Sequence, residues 1–429
     1  MSAGDEARVE EPFVLNAMVS LVLASGLIFW RRDLLLQYFY FNQLLALTHL
    51  LTLGFLSSLM MGVLYRVGPT FVGVTHASRL VARLQFIFFF IGSWGMIVHF
   101  WLGESRGMSW STFLLFGAGS LQVWNFRALF RPSGKNPWTR RFLATSVVYF
   151  LLAAIMGILL GLVKGYDVRA PILALEYIDN VFAHAHLAAV GWVLTMICGV
   201  ELAVVPTTTG NPRFLPFRYA LLQVGTLGIA FAFLTGRSVA PFAIAILVFC
   251  VWHAWGPARA LLVGRAHEWE LLPLTLLVLA ASAGVALSLG WPAVADPARG
   301  RLQLAYGFLG IVGFMVATVV SVAFKLFPMW VWKERFEADF GKRPVPGMKE
   351  LHSETLRIVS NAAIFAGALG TATAIVTARE TLLTGSTALL LVGVVCFVAN
   401  FVRVARWGLL NLTFEPTKAD EDKFKEIFR

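Results

Sequence analysis

The sequence predicts an all-α integral membrane protein, with twelve transmembrane helices in three pseudo-symmetric arcs of four. Three observations carry this. Of the 429 residues, 58% are hydrophobic and only 14% charged, where a soluble domain has about 25% charged residues. Apolar runs near the ~20 residues needed to cross a bilayer recur along the whole chain. Two of those runs are also copies of one another. The composition excludes a disordered chain, a disulfide-stapled secreted module and an ordinary soluble enzyme. The formal net charge is +11, which reads as basic loops on the cytoplasmic side; the expected environment is a lipid bilayer, with no nucleic acid partner. Cys198, Cys250 and Cys396 fall in apolar runs outside any CxxC or CxxCH pattern, so neither a disulfide framework nor covalent haem attachment is indicated. The opening MSAGDEARVEEP is acidic and its apolar continuation runs to about Trp30, so no cleavable signal peptide is expected.

In chain order the apolar runs lie near 12–30, 41–66, 80–103, 109–130, 141–164 and 180–205. They continue at 217–236, 239–263, 270–291, 302–330, 356–378 and 385–408. An even number of crossings puts both termini on one side. Loops after the even-numbered spans carry Arg66, Arg79, Arg83, Arg127, Arg131, Lys135, Arg140, Arg141, Arg213 and Arg218, and the loop after the tenth adds Lys333, Arg335, Lys342, Arg343 and Lys349. Odd-numbered loops have one or two basic residues each. The positive-inside rule then places both termini in the cytoplasm of a bacterial-type inner membrane. One membrane domain covers 1–408, and 409–429 reads as a solvated cytoplasmic tail.

The second span, Ala46 to Gly73, aligns without a gap on the sixth, Ala183 to Gly210, with ten identities in 28 positions. They include His49/His186, Gly54/Gly191, Gly62/Gly199, Pro69/Pro206, Thr70/Thr207 and Gly73/Gly210. Shared apolar composition does not easily place His, Pro and Gly in step. The tenth span is a weaker third copy, with Phe308 at the histidine position and Gly313 matching Gly54 and Gly191. Fourth helices echo one another at Asn125, His253 and Asn400. Repeats of four helices near 12–130, 141–263 and 270–408 follow. The glycines 5 and 13 residues past the reference position share the helix face opposite it, where small residues let helices approach closely. The proline 20 residues past it is expected to end each helix.

His49, His184 and His186 sit at a common level in the outer half of spans 2 and 6. An intramembrane histidine is costly without a partner, so metal or haem ligation is weighed against polar glue between helices. Haem is favoured over zinc, since no carboxylate or cysteine cluster completes a four-ligand site at this depth. His184 and His186 stand about 200° apart round the helix and must address two different gaps. The run FAHAHLAAVGWVLTMICGVELAVVP, from Phe182 to Pro206, resembles the tenth helix of haem-copper oxidase catalytic subunits. The resemblance is strongest to the cbb-type oxidases and the related nitric oxide reductases, where an HxH before Gly-Trp and a terminal Val-Pro hold two haems. That family also has twelve helices in three arcs of four.

The resemblance implies a b-type membrane cytochrome, with one haem b and room for a second. It pairs His49 with His184 as axial ligands of a low-spin haem. It sets His186 toward the gap with span 10, near Tyr306, at a site able to bind carbon monoxide, oxygen or nitric oxide. The third gap offers only Phe308 and Leu47, so no haem is expected there. The chain departs from the family in carrying HxH on span 6, and span 7 lacks the His-His pair used for copper; no full motif supports copper. The implied partner is a redox subunit bearing haem c or copper, or a quinol. Whether the chain is an enzyme, an oxidoreductase of the oxygen or nitric oxide reductase type, stays open. The rivals are a twelve-helix transporter with no redox role, and a haem- or copper-based nitric oxide sensor or scavenger.

Other polar residues complete the expectation. Glu201 is a carboxylate inside a span, read as structurally paired or as part of a proton path. His253 reads as a packing hydrogen bond, because its repeat equivalents are Asn. His99, near the exit of span 3, is balanced between a haem propionate, a second metal and interfacial water. His76, His267 and His352 read as surface residues in cytoplasmic loops. Arg31, Arg32, Arg169, Arg237 and Arg301 are candidates to meet propionates on the outer side.

Overall fold

A computed structural model describes residues 8–131, 135–204, 212–263, 268–293 and 296–409, with scattered residues of the tail. Its long helices are α1 (Glu11–Trp30), α2 (Asn42–Val72), α3 (Arg79–Leu102), α4 (Ser105–Asn125), α5 (Pro137–Tyr166) and α6 (Tyr177–Val204). They continue as α7 (Leu215–Thr235), α8 (Ala240–Leu262), α9 (Glu268–Ser288), α10 (Pro297–Arg335), α11 (Glu354–Thr377) and α12 (Glu380–Leu409). No strand occurs among the described residues. Ten of these helices are long and apolar enough to cross a membrane. The other two are α4, which is rich in Ser and Gly, and α9, whose apolar part runs only from Leu272 to Ser288. Large apolar side chains such as Leu15, Ile91, Val224, Val251 and Val395 lie exposed on the outer surface, as a lipid-facing chain requires.

Local signals start the helices. Proline stands in the first turn of α1, α5, α7, α8 and α10, where its missing N–H costs nothing. Ser78 and Ser353 cap α3 and α11 by accepting from Val81 N and Leu356 N, both at 3.4 Å. Gly103 closes α3 at φ +75°, a conformation that suits glycine.

Each helix packs against the next, and α12 returns to α1, so the helices close a ring. Inside it α2, α6 and α10 meet one another along a shared kind of interruption. A π-helical segment occupies Leu50–Ser57, Leu187–Leu194 and Leu309–Val316, in each case starting one residue after the reference position His49, His186 or Phe308. The three segments touch one another. The small residues do what their spacing implied. A side chain at Gly54 or Gly62 would strike Ser20 or Phe13 of α1, and one at Gly191 or Gly199 would strike Tyr149 or Phe142 of α5. Gly313 faces Leu276 of α9 in the same way.

The fourth helices of the first and third repeats share a lock. Ser78 N donates to Asn125 Oδ1 at 2.8 Å and Asn125 Nδ2 to Ser78 O at 3.1 Å. Ser353 and Asn400 make the same two bonds, each at 2.8 Å. Both pairs are 47 residues apart. One expectation fails here: Pro328 does not end α10, which continues to Arg335. A proline removes one N–H from the ladder, and the extension is pinned where Trp332 Nε1 donates to Pro346 O at 2.7 Å. Pro206, Thr207, Gly210, His267 and most of 409–429 lie outside the described residues.

Candidate functional site

The three histidines open on one cavity of about 300 Å³, at the low end of the ~300–1,000 Å³ typical of small-molecule sites. Each ring is oriented by a backbone carbonyl. His49 Nδ1 donates to Leu45 O at 2.7 Å, His184 Nδ1 to Ala153 O at 2.9 Å, and His186 Nδ1 to Phe182 O at 2.7 Å. A carbonyl only accepts, so all three rings carry their proton on Nδ1 and present an unprotonated Nε2. This is the tautomer and the support that metal-ligating histidines use. Among the described residues no hydrogen-bond partner meets Nε2 of His49 or His184. Their fit to a haem iron therefore rests on two free, unprotonated Nε2 atoms on the wall of one apolar cavity. The sequence also leaves His184 room: a side chain at Gly157 would lie 3.5 Å from its ring.

His184 turns toward α5, whereas His186 turns toward α10. Tyr306 donates its hydroxyl to His186 Nε2 at 2.9 Å, and the rings lie 6.1 Å apart, nearly parallel. Metal bonds of ~2 Å on each side need ~4 Å between ligand atoms. Iron on His186 thus requires the hydroxyl to move aside. Cys250 lines the same end of the cavity.

One cation on the cavity wall escaped sequence reading. Lys164 Nζ donates to Asn42 Oδ1 at 2.8 Å and stands 4.9 Å from the Tyr40 ring and 5.4 Å from the Phe100 ring. His49 stacks on that same Phe100 at 4.9 Å. Tyr40 and Tyr177, joined hydroxyl to hydroxyl at 3.0 Å, line the cavity beside the lysine. Lys164 ends the fifth apolar run, where a cation reads as a span boundary; only its reach across to Asn42 of α2 and Phe100 of α3 turns it inward.

A second polar cluster joins α6, α7 and α8. His253 Nε2 donates to Glu201 Oε2 at 2.9 Å, and Arg218 Nη2 donates to His253 Nδ1 at 2.6 Å. Arginine only donates, so His253 is neutral, with its proton aimed at the carboxylate. Glu201, His253 and Arg218 are 5%, 2% and 7% exposed. His253 differs from Asn125 and Asn400 in its partners: those two lock a serine cap, whereas His253 bridges a buried carboxylate and a buried guanidinium. The reading of Arg218 as a loop cation fails.

With that geometry in hand, comparison with known families is decisive on one point. The model of the NnrS protein family matches residues 141–418, close to two thirds of the 429. The chain belongs to the NnrS family. No curated protein matches it at a significant level. The NnrS match holds His184, His186, Glu201, Arg218, His253 and Tyr306, while His49 and the first four helices precede it. It is a match to NnrS and not to the haem-copper oxidase family that the motif resembles.

The remaining candidates of this NnrS chain lie elsewhere. His99 does not line the cavity; its Nδ1 donates to Gly95 O at 2.5 Å and its Nε2 stands 4.0 Å from Glu104 Oε2. None of the five outer arginines lines the cavity. Arg31 pairs with Asp33 at 3.1 Å, Arg32 donates to Thr384 at 2.9 Å, Arg169 to Ala174 O at 2.6 Å, and Arg301 to Val376 O at 3.2 Å. Backbone and neighbouring side chains satisfy these groups locally. His352 is not a surface residue, its side chain being 9% exposed. His76 is half-buried edge-on against Tyr65, 5.4 Å between rings.

Proposed function

We propose that the chain is a haem-binding membrane cytochrome, resembling subunit I of the haem-copper oxidases. Its twelve helices would all cross an inner membrane in three arcs of four, with both termini in the cytoplasm. One haem b would be held by His49 of α2 and His184 of α6. The observation that carries this is the pair of unprotonated, unpartnered Nε2 atoms on the wall of one apolar cavity. Bound there, haem supplies one-electron chemistry, and two neutral imidazoles favour electron transfer over gas binding. Lys164 would meet the acidic edge of the group. Tyr40 and Tyr177 would narrow the outer mouth and keep water from the cavity.

The task that fits is electron transfer in a respiratory or denitrification complex, with a partner subunit or a quinol as donor. His186 and Tyr306 would form a second site for a haem and a diatomic gas, closed in the resting arrangement by their hydrogen bond. A transporter of charged solutes fits less well, since Lys164 is the one formally charged residue among those lining the cavity.

Optical spectra of the purified protein, oxidised and dithionite-reduced, test the reading. A Soret band with a sharp reduced α band is expected. Protein made in a haem-sufficient host and lacking any Soret band would overturn it.

A further inference from the structure

The buried cluster of Glu201, His253 and Arg218 has no part in holding the haem. Its placement is unusual within the repeat. In the first and third repeats the fourth-helix position carries asparagine, which locks the serine that starts the third helix. In the second repeat the lock is given up for an imidazole. The sixth helix supplies its partner: Glu201 stands 15 residues past the reference position, where the other repeats have Leu64 and Ala323. Thus two positions that are structural or apolar elsewhere become ionisable together. Packing alone would be better served by the apolar or amide alternative, because burying a carboxylate and a guanidinium costs several kcal/mol per ion before their attraction repays it.

The surroundings give the cluster a direction. Glu201 also lines a separate cavity of about 50 Å³ between α2, α6 and α10, walled otherwise by residues such as Met60, Met196, Thr318 and Phe327. That space holds a water or two at most. On the other side His253 lies one turn of α8 beyond Cys250, which lines the histidine cavity. The chain of groups therefore lies beneath the floor of that cavity, on the side assigned to the cytoplasm. Other titratable groups facing it are Cys198, one turn before Glu201 on α6, and Cys250.

We infer that Glu201, His253 and Arg218 form a proton-holding station, in which Glu201 takes up one proton from the small-cavity side when an electron enters the cavity above. In the resting state Glu201 is anionic, His253 neutral and Arg218 cationic, so the cluster has no net charge. The donor subunit or quinol supplies the electron and cytoplasmic water supplies the proton. One O–H bond forms on the carboxylate, one water O–H bond breaks, and the added positive charge balances the added electron. Balance of this kind matters most in a medium of low dielectric, where an uncompensated charge is expensive. His253 keeps its Nε2 proton on the carboxylate and holds Glu201 toward the small cavity; Arg218 fixes the tautomer. Coupling to an electron rests on the cytochrome reading, whereas protonation of Glu201 does not.

The test uses the full-length protein in membranes. Infrared difference spectra are recorded between oxidised and reduced states, and separately across a pH step with no redox change, in H₂O and D₂O. A protonated-carboxyl band sensitive to D₂O is expected, absent in Glu201→Gln and displaced in Glu201→Asp. The wild-type midpoint potential should fall with pH by up to about 59 mV per tenfold drop in proton concentration, one proton per electron; Glu201→Gln should flatten that slope. His253→Asn restores the residue of the other repeats, so it should fold, keep the optical spectrum and still lose the band or slow its appearance. A wild type and a Glu201→Gln variant with identical bands and identical slopes would overturn the station. If no Soret band forms, the cytochrome reading falls instead, and the pH-step band alone decides whether Glu201 holds a proton.

Discussion

His49, His184 and His186 are alike in depth and tautomer, yet their surroundings assign them different work. His49 and His184 keep an unengaged Nε2, whereas that of His186 accepts the Tyr306 hydroxyl at 2.9 Å. Replacing His49 or His184 by Ala should abolish the reduced α band in the optical spectrum, and His186→Ala should leave it. A band that survives His184→Ala but not His186→Ala would transfer the ligand role. Lys164 allows a second prediction. A positive charge near a redox centre favours the reduced form, so Lys164→Met should lower the midpoint potential. At ~10 Å and an effective dielectric near 20 the effect is on the order of 1 kcal/mol, less with screening at this half-buried site. An unchanged potential would place Lys164 outside the haem environment. The histidines were legible because His is conspicuous in an apolar run and repeats in step. Lys164 was not, because a cation at the end of a run looks the same whether it faces lipid headgroups or a cavity.

At the scale of elements, two serine–asparagine locks hold the start of a third helix to the end of a fourth. Asn125 and Asn400 are each 1% exposed, and removing either amide leaves a half-buried serine N–H and C=O without their partner. Asn125→Ala or Asn400→Ala should each cost about 1–3 kcal/mol, read as a lower denaturation midpoint. His253→Asn loses no lock, but it takes the shared partner from the buried Glu201 carboxylate and Arg218 guanidinium, so it should lower the midpoint at least as much. The start of α4 offers a pH dependence. Glu104 is held below the usual carboxylate range, chiefly by accepting from Gly107 N at 2.5 Å and then from Arg106 N at 3.0 Å. Because its folded value is depressed, the stabilisation is complete above the ordinary carboxylate value. It fades as the pH drops through the lower folded one. Amide exchange at Arg106 and Gly107 should therefore lose protection only as the pH falls below the ordinary carboxylate value of about 4.3, and Glu104→Gln should lack that step. Helix positions were readable to within about five residues, since apolar length and proline or serine starts are local signals. The π segments were not, because an inserted residue in the ladder leaves no mark on composition.

For the whole molecule, the balance of basic residues between even and odd loops predicts both ends in the cytoplasm. A fluorescent protein fused after Arg429 should fluoresce and an alkaline phosphatase fused there should be inactive; the reverse would invert the topology and carry the Glu201 cluster to the outer side. Membrane residence, the helix positions, the repeat relating α2 to α6 and the histidines worth watching were all legible in the amino-acid order. Each depends on a residue's own chemistry or on spacing along one helix. It took the packed fold to show that His186 meets Tyr306, that Lys164 reaches the cavity, and that His253 leaves the asparagine pattern to join Glu201 and Arg218. Those contacts span 120, 122, 52 and 35 residues. They depend on which faces of separate helices pack together, and no periodicity within a single helix encodes that.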